Sequence, residues 1–177
     1  MIYFTADTHF GHRAIIELCR RPFPSVEEMN EALIANWNRR VRDNDTVFIL
    51  GDFAYRADSS EVEMILKRLK GKKRLIVGNH DRSWLKKLPD PSAYFESIDE
   101  FLSKYGMTLC HYPMVTYPHV TKQWMLHGHI HQNTDMDYWP LLKNRPSVLN
   151  VGVDINRFEP VTLEEAQENN RLWKAAH

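Results

Sequence analysis

Thr46-Val47-Phe48-Ile49-Leu50 runs straight into Gly51-Asp52, so a mostly apolar stretch stops on a glycine and a carboxylate. Its length and its β-branched and aromatic content are those of a buried strand, and the glycine marks the turn that ends it. The same design recurs along the chain. Ile2–Ala6 ends in Asp7-Thr8-His9, Arg74–Val77 in Gly78-Asn79-His80-Asp81, Met107–Cys110 in His111, and Trp124–Leu126 in His127-Gly128-His129-Ile130-His131. Ser147–Val151 is a further strand, and Tyr94–Ile98 a weaker one placed near a sheet edge.

Helical patterns lie between the strands. Ser25 with Glu28 forms a capping box, after which Met29, Leu33, Trp37 and Val41 recur on one face. Asp58 with Glu61 repeats the box before Val62, Ile65, Leu66 and Leu69, with Gly71 as the stop. Thr162 with Glu165 opens a last amphipathic helix towards His177. Strands alternating with helices in the first half predict an α/β fold with parallel pairing there. The second half has strands without long helices between them, so mixed or antiparallel pairing is expected. No repeat or linker interrupts the chain, and residues 1–177 read as a single domain.

Composition narrows the function. Of the 177 residues, 43% are hydrophobic and 26% charged, which fits an ordinary globular protein. Lys plus Arg and Asp plus Glu are both 23, so the net charge is zero; nucleic acid as a partner is not supported by it, nor is a membrane surface. The basic clusters Arg39-Arg40-Arg42 and Lys70-Lys72-Lys73-Arg74 fall at predicted helix ends, where solvated cations complement the dipole. Two cysteines without a CxxC spacing suit a reducing compartment. Met1 leads directly into a strand, leaving no room for a signal peptide, and no apolar run is long enough to cross a bilayer; a cytoplasmic location is expected. Nine histidines are the one compositional oddity.

The strand ends carry the chemistry. In open α/β sheets ligands bind beyond the carboxyl ends of the strands, where loops converge. Five strand ends deliver Asp, Asn or His, a donor set without thiolate that suits Mn, Fe or Zn rather than a structural zinc site. Asp7, His9, Asp52, Asn79, His111, His129 and His131 are too many ligands for one tetrahedral ion. They suit two ions sharing a carboxylate, about 3.5–4 Å apart. Two divalent ions against two carboxylates leave positive charge for a phosphate.

The ordered set Asp7-x-His9, Gly51-Asp52, Gly78-Asn79-His80-Asp81, His111 and Gly128-His129-x-His131 resembles the calcineurin-like metallophosphoesterases. The resemblance implies an α/β fold of two mixed β-sheets packed as a sandwich and flanked by helices, four layers in all. It implies two divalent metal ions, Mn or Fe with Zn as another possibility. Asp7, His9, Asp52 and His131 would hold one, and Asp52, Asn79, His111 and His129 the other, with Asp52 bridging. The implied reaction is hydrolysis of a phosphate monoester or diester, in a small-molecule or nucleotide substrate, by in-line attack of a metal-bound hydroxide. His80 would assist the leaving group.

Larger members of that family carry Gly-Asp-x-x-Asp-Arg-Gly, whose second Asp orients the catalytic His. Here Tyr55 stands in its place, in Gly51-Asp52-Phe53-Ala54-Tyr55-Arg56-Ala57. Asp81 is adjacent to His80, and Arg56 matches the motif's Arg as a phosphate clamp or else is a solvated residue starting a helix. His12 is a candidate for the phosphate side of the site, against a capping or surface role. Asp154, past Gly152, is a candidate partner for a metal-bound His, against a plain turn. His127 reads as structural or as support for the ligands, His119 as solvated, and Cys110 as a small buried residue. Phe10, Tyr55, Trp84, Tyr112, Tyr117 and Trp139 offer rings for a nucleobase or for packing. Two other readings compete. One is an inactive scaffold of the same fold, favoured only by the missing Asp. The other is a metallo-β-lactamase-type hydrolase, which wants an early His-x-His-x-Asp-His cluster that this chain lacks. The sequence leaves the oligomeric state open.

Overall fold

In β2 (Thr46–Leu50), Val47 and Ile49 belong to one buried cluster while Phe48 and Leu50 belong to another. A strand that is apolar on both faces must be covered on both, and that requirement organises the molecule. The computed structural model describes residues 1–177.

β1 (Ile2–Thr5), β2, β3 (Lys72–Ile76) and β4 (Phe95–Asp99) form one sheet in that order, with every pairing parallel. Its outer face is covered by α1 (Arg13–Leu18), α2 (Val26–Arg40), α3 (Ser59–Arg68) and α4 (Asp81–Leu85). Met29, Leu33 and Trp37 of α2 and Val62, Ile65 and Leu66 of α3 meet Tyr3, Val47, Ile49 and Leu75 there. On the inner face Phe4, Phe48, Leu50 and Ile76 meet a second sheet through Met107, Leu109, Leu126 and Leu149. That sheet has the order β5 (Leu102–Lys104), β6 (Met107–Leu109), β7 (Trp124–His127), β8 (Val148–Asn150). Its far face packs Met125 and Val148 against Trp139 and Leu142 of α5 (Trp139–Lys143), with Trp173 of α6 (Leu163–Ala176) beside them. The layers are helix, sheet, sheet, helix.

The two sheets differ in pairing. β6, β7 and β8 are parallel and β5 is antiparallel to β6, so the second sheet is mixed. The first sheet is parallel within its four strands and gains one antiparallel bridge, Phe4 to Val161. β4 lies at the edge, as its weak pattern suggested. β5 left no pattern, being three residues long and largely exposed; its hairpin turns on Tyr105 and Gly106, both with positive φ. Helices α1, α4 and α5 have five or six residues each, too few to express a helical period.

Two of the three expected caps form. The Ser25 hydroxyl accepts from the Glu28 N–H, and Thr162 and Glu165 make the full reciprocal box. Asp58 makes no side-chain cap bond; it is exposed, and its carboxylate stays in water. The basic clusters are also less solvated than expected. Arg40 pairs with Glu159 and Glu165, and Lys73 is buried, donating to the Leu69 and Gly71 carbonyls. No helix is long and apolar enough to cross a membrane.

The strand ends are zipped together beyond the strands. Asp7 N–H donates to Gly51 O and His9 N–H to Asp52 O; in the second sheet Gly128 N–H donates to His111 O and Val151 N–H to His127 O. Val153 N–H to Ala6 O ties the sheets at this end. The loops carrying the polar residues are thereby fixed by backbone bonds from both sheets.

Candidate metal centre

The loops hold their side chains at a backbone cost. Asp7, His9, Asp52, His129 and His131 all have φ between 50° and 71°, the left-handed region that non-glycine residues rarely enter. Two neighbouring glycines make room. A Cβ on Gly51 (φ +84°) would sit 2.4 Å from His111 Nδ1, and one on Gly128 would sit 2.5 Å from Asp7 Oδ2.

Cys19, His131 and Asp154 group their ligating atoms, and the sequence-derived candidates form two further clusters, Asp7–His9–His131 and Asp52–His111–His129. Asp52 Oδ2 lies between them, 3.6 Å from His9 Nε2 and 3.4 Å from His111 Nε2. Asn79 Oδ1 completes the second cluster, 3.0 Å from His111 Nε2 and 3.1 Å from His129 Nδ1. All seven sequence-derived ligand candidates therefore come together. The cluster fits metal on two grounds. His9 Nε2 is buried and has no hydrogen-bond partner, a vacancy that folded proteins seldom tolerate. Every donor is an oxygen or an imidazole nitrogen, the set that divalent first-row ions accept.

Titration reflects the crowding. Burial pushes the Asp7 carboxyl up to about 6. Burial would raise Asp52 as well, but the His111 hydrogen bond and charge outweigh it and hold it at about 2. Burial drives His9 well below the usual imidazole range. His131 goes the other way: burial opposes its charge, yet the Asp154 carboxylate brings it up to about 10.

The supporting residues divide clearly. Asp154 Oδ2 lies 2.8 Å from His131 Nδ1, within hydrogen-bond reach of the ring. Its partner Arg21 escaped the sequence reading. Arg21 is buried, reaches Asp154 at 2.8 and 3.0 Å, and donates to the Asp7 and Thr8 carbonyls at 2.7 and 3.0 Å. Asp81 does not touch the His80 ring. Its carboxylate accepts from the backbone N–H groups of Asp52, Phe53 and Gly78 and from the Trp84 indole, so it laces the β2 and β3 loops together. Asn150 was also missed as a site residue, although it stands at a strand end like the others. Its amide donates to His131 O at 2.6 Å and its carbonyl accepts from Gly152 N–H.

His80 lies at the mouth, its side chain 37% exposed, with Nε2 3.9 Å from Asp52 Oδ2 and its N–H on Asp52 Oδ1. The Tyr55 ring meets it edge-on at 4.7 Å and stacks on His12 at 3.8 Å. His12 Nδ1 lies 3.1 Å from His9 Nδ1 and makes no helix-capping bond. Arg56 is exposed, its guanidinium 5.2 Å from the Tyr55 ring, and it precedes α3 rather than starting it. Tyr112 is exposed beside His129, at 4.6 Å. Phe10, Trp84, Tyr117 and Trp139 are buried in the core. His127 is buried, with Nδ1 against the Gly128 carbonyl, and His119 is exposed. Cys110 is only half-buried, because it sits past the end of β6.

Two β-sheets whose strand ends converge on paired Asp/His clusters fit a metal-dependent phosphoester hydrolase. A model of the calcineurin-like phosphoesterase family matches residues 1–175, and the chain belongs to that family. It is 37% identical over 164 residues to the uncharacterized protein MJ1445 of Methanocaldococcus jannaschii, covering 92% of this chain and 87% of that one. It is 26% identical over 195 residues to the gene 66 protein of Mycobacterium phage D29, covering 94% of each. Among solved structures, the protein of unknown function AQ665 from Aquifex aeolicus matches with a TM-score of 0.70 and 28% identity, over 95% of this chain and 98% of that one.

Proposed function

We propose that the chain hydrolyses a phosphate monoester or diester at the cluster of Asp7, His9, Asp52, Asn79, His111, His129 and His131. The observation that carries this reading is Asp52 Oδ2, which faces three imidazoles from three loops: His111 at 3.4 Å, His9 at 3.6 Å and His80 at 3.9 Å. Asp7, His9, Asp52 and His131 would hold one divalent ion, and Asp52, Asn79, His111 and His129 a second. Manganese or iron suits these donors, and zinc also. When bound, such ions acidify water and neutralise charge on phosphoryl oxygens.

His80 is the general acid of the proposal. Of the three imidazoles within 4 Å of the Asp52 carboxylate it alone opens to solvent, where the leaving group of an ester would lie. Tyr55 supports its ring on one side, in place of the carboxylate that larger relatives use. Asp81 fixes the Asp52 backbone, so the shared carboxylate and the His80 loop keep their spacing. Arg56 and His12 stand nearby as candidates to meet the phosphate.

Manganese-loaded protein should cleave p-nitrophenyl phosphate or bis-p-nitrophenyl phosphate, and preference between them separates monoesterase from diesterase. Asp52→Asn should abolish turnover, and His80→Ala should lower kcat about 10²–10⁴-fold, the range for loss of a general acid. Turnover that survives both substitutions would overturn the assignment. Sub-stoichiometric metal with no turnover would return the inactive scaffold.

A further inference from the structure

We infer that the cleft leading away from the metal cluster binds a dinucleotide-sized phosphodiester, its non-reacting phosphate on Arg20 and Arg157 and a base against Trp173. The inference rests on the phosphoesterase reading and names its substrate class.

The cleft has a volume of about 1020 Å³ and starts at His9, His80 and His131. Sites for small ligands run from about 300 to 1,000 Å³, so this one exceeds what a simple phosphomonoester fills. It continues past the end of α1 to the last turns of α6, where Arg20, Arg157 and Trp173 line it.

Its charge is arranged for an anion away from the metals. Asp154 is already taken by Arg21 and His131. Among the Asp, Glu, Lys and Arg side chains of the lining, that leaves Arg20 and Arg157 against a single exposed carboxylate, Asp135. Arg21, Arg39, Arg40, Arg68, Arg74, Arg82 and Arg171 are each held by a carboxylate. Arg20 and Arg157 are not, and of the arginines without an acidic partner (Arg13, Arg42, Arg56 and Arg145 are the others) they are the two that line the cleft. Both also occupy the left-handed region, with φ of 49° and 56°, as five of the candidate metal ligands do. Non-glycine residues adopt that conformation rarely, and such positions gather at functional sites. Two guanidiniums offer the planar forks that phosphate oxygens accept.

The aromatic part lies in the same cleft. The Trp173 ring packs on Trp139 at 4.6 Å and stays half-buried, leaving surface for a planar ring to cover. Tyr138, also half-buried, lines the cleft with it. Bases stack on such rings with little regard to sequence. Phosphate forks, an aromatic platform and a hydrolytic centre in one cleft together match a short nucleotide chain.

The test compares the 5′-phosphorylated dinucleotide pTpT with bis-p-nitrophenyl phosphate, which carries no second phosphate for the arginines to hold. pTpT titrated into metal-free protein should quench tryptophan fluorescence, and Arg20→Ser/Arg157→Ser should weaken that binding about tenfold. With manganese, the same double variant should raise KM for pTpT about tenfold, with kcat and the small diester changed less than about twofold. Trp173→Ala should behave likewise; because it also loosens packing on Trp139, the surface arginine pair is the deciding variant. Cleavage of the small diester without binding or cleavage of pTpT would overturn the inference, as would parallel losses on both esters. Failure to cleave either ester would instead sink the phosphoesterase reading, while fluorescence binding still decides the cleft.

Discussion

The two ligand clusters are built from the same residue types yet are held in opposite ways. Asp7–His9–His131 is backed by buried groups: Asp7 and His9 are buried, His131 is half-buried at the cleft, and Arg21 and Asp154 behind them are 0% and 1% exposed at their side chains. Asp154 grips a ligand ring directly, through His131 Nδ1. In Asp52–His111–His129, Asp52 and His111 are just as buried but His129 is exposed, and its neighbour Tyr112 is 46% exposed. The carboxylate behind it, Asp81, grips no ligand ring and holds backbone instead. A carboxylate on a ring tunes one ion's affinity. A carboxylate on the backbone holds the frame on which the shared Asp52 stands.

The sharpest way to break this contrast is to remove each carboxylate. Asp81→Ala strands three buried N–H groups and an indole, each an uncompensated donor at about 1–3 kcal/mol. The expected loss of stability is on the order of 3–5 kcal/mol, read as a lower midpoint in urea, with both clusters failing together. Asp154→Ala should cost less stability and act on one ion: affinity for that ion should fall about 10–100-fold, while the second binds as before. Calorimetric titration with Mn²⁺ resolves the two cases. Equal losses at both ions in Asp154→Ala would show that the clusters are not independently supported.

The same contrast explains what could be read in the sequence. The seven ligand candidates were legible because each follows a strand, and strands announce themselves by short apolar runs bounded by glycine. The closing groups were not. Arg21 lies in a loop after a six-residue helix, and its bonds to Asp7 and Asp154 span 14 and 133 positions, so no local pattern marks it. Asp81 was visible as a residue but its role was not, because adjacency to His80 suggested a ring contact and the first turn of α4 aims the carboxylate at Gly78 and Asp52 instead. Arg56 matched a motif yet sits exposed on the Tyr55 ring. In the fold, the caps at Ser25 and Thr162 and the periods of α2, α3 and α6 were readable, while β5, α1, α4 and α5 were too short to carry a period.

The smallest expected effect separates the clusters by pH. Asp154 brings His131 up to about 10, so at neutral pH the metal-free imidazole carries a second proton that an ion must displace. Ligand imidazoles must be neutral, hence binding at the first cluster should weaken about tenfold for each unit of pH lost between 9 and 7. At the second cluster burial keeps His129 below its usual range, and only His111 is raised, so the slope there should be shallower. Stability should move the opposite way. A His raised above its unfolded value near 6.5 lends stability that is complete below that value and lost as pH climbs towards 10. Metal-free protein should therefore soften between pH 7 and 10 while its first ion binds more tightly. Asp154→Asn should flatten both slopes; a variant that keeps them would show that His131 owes its proton to another neighbour, and the contrast between the clusters would narrow to exposure alone.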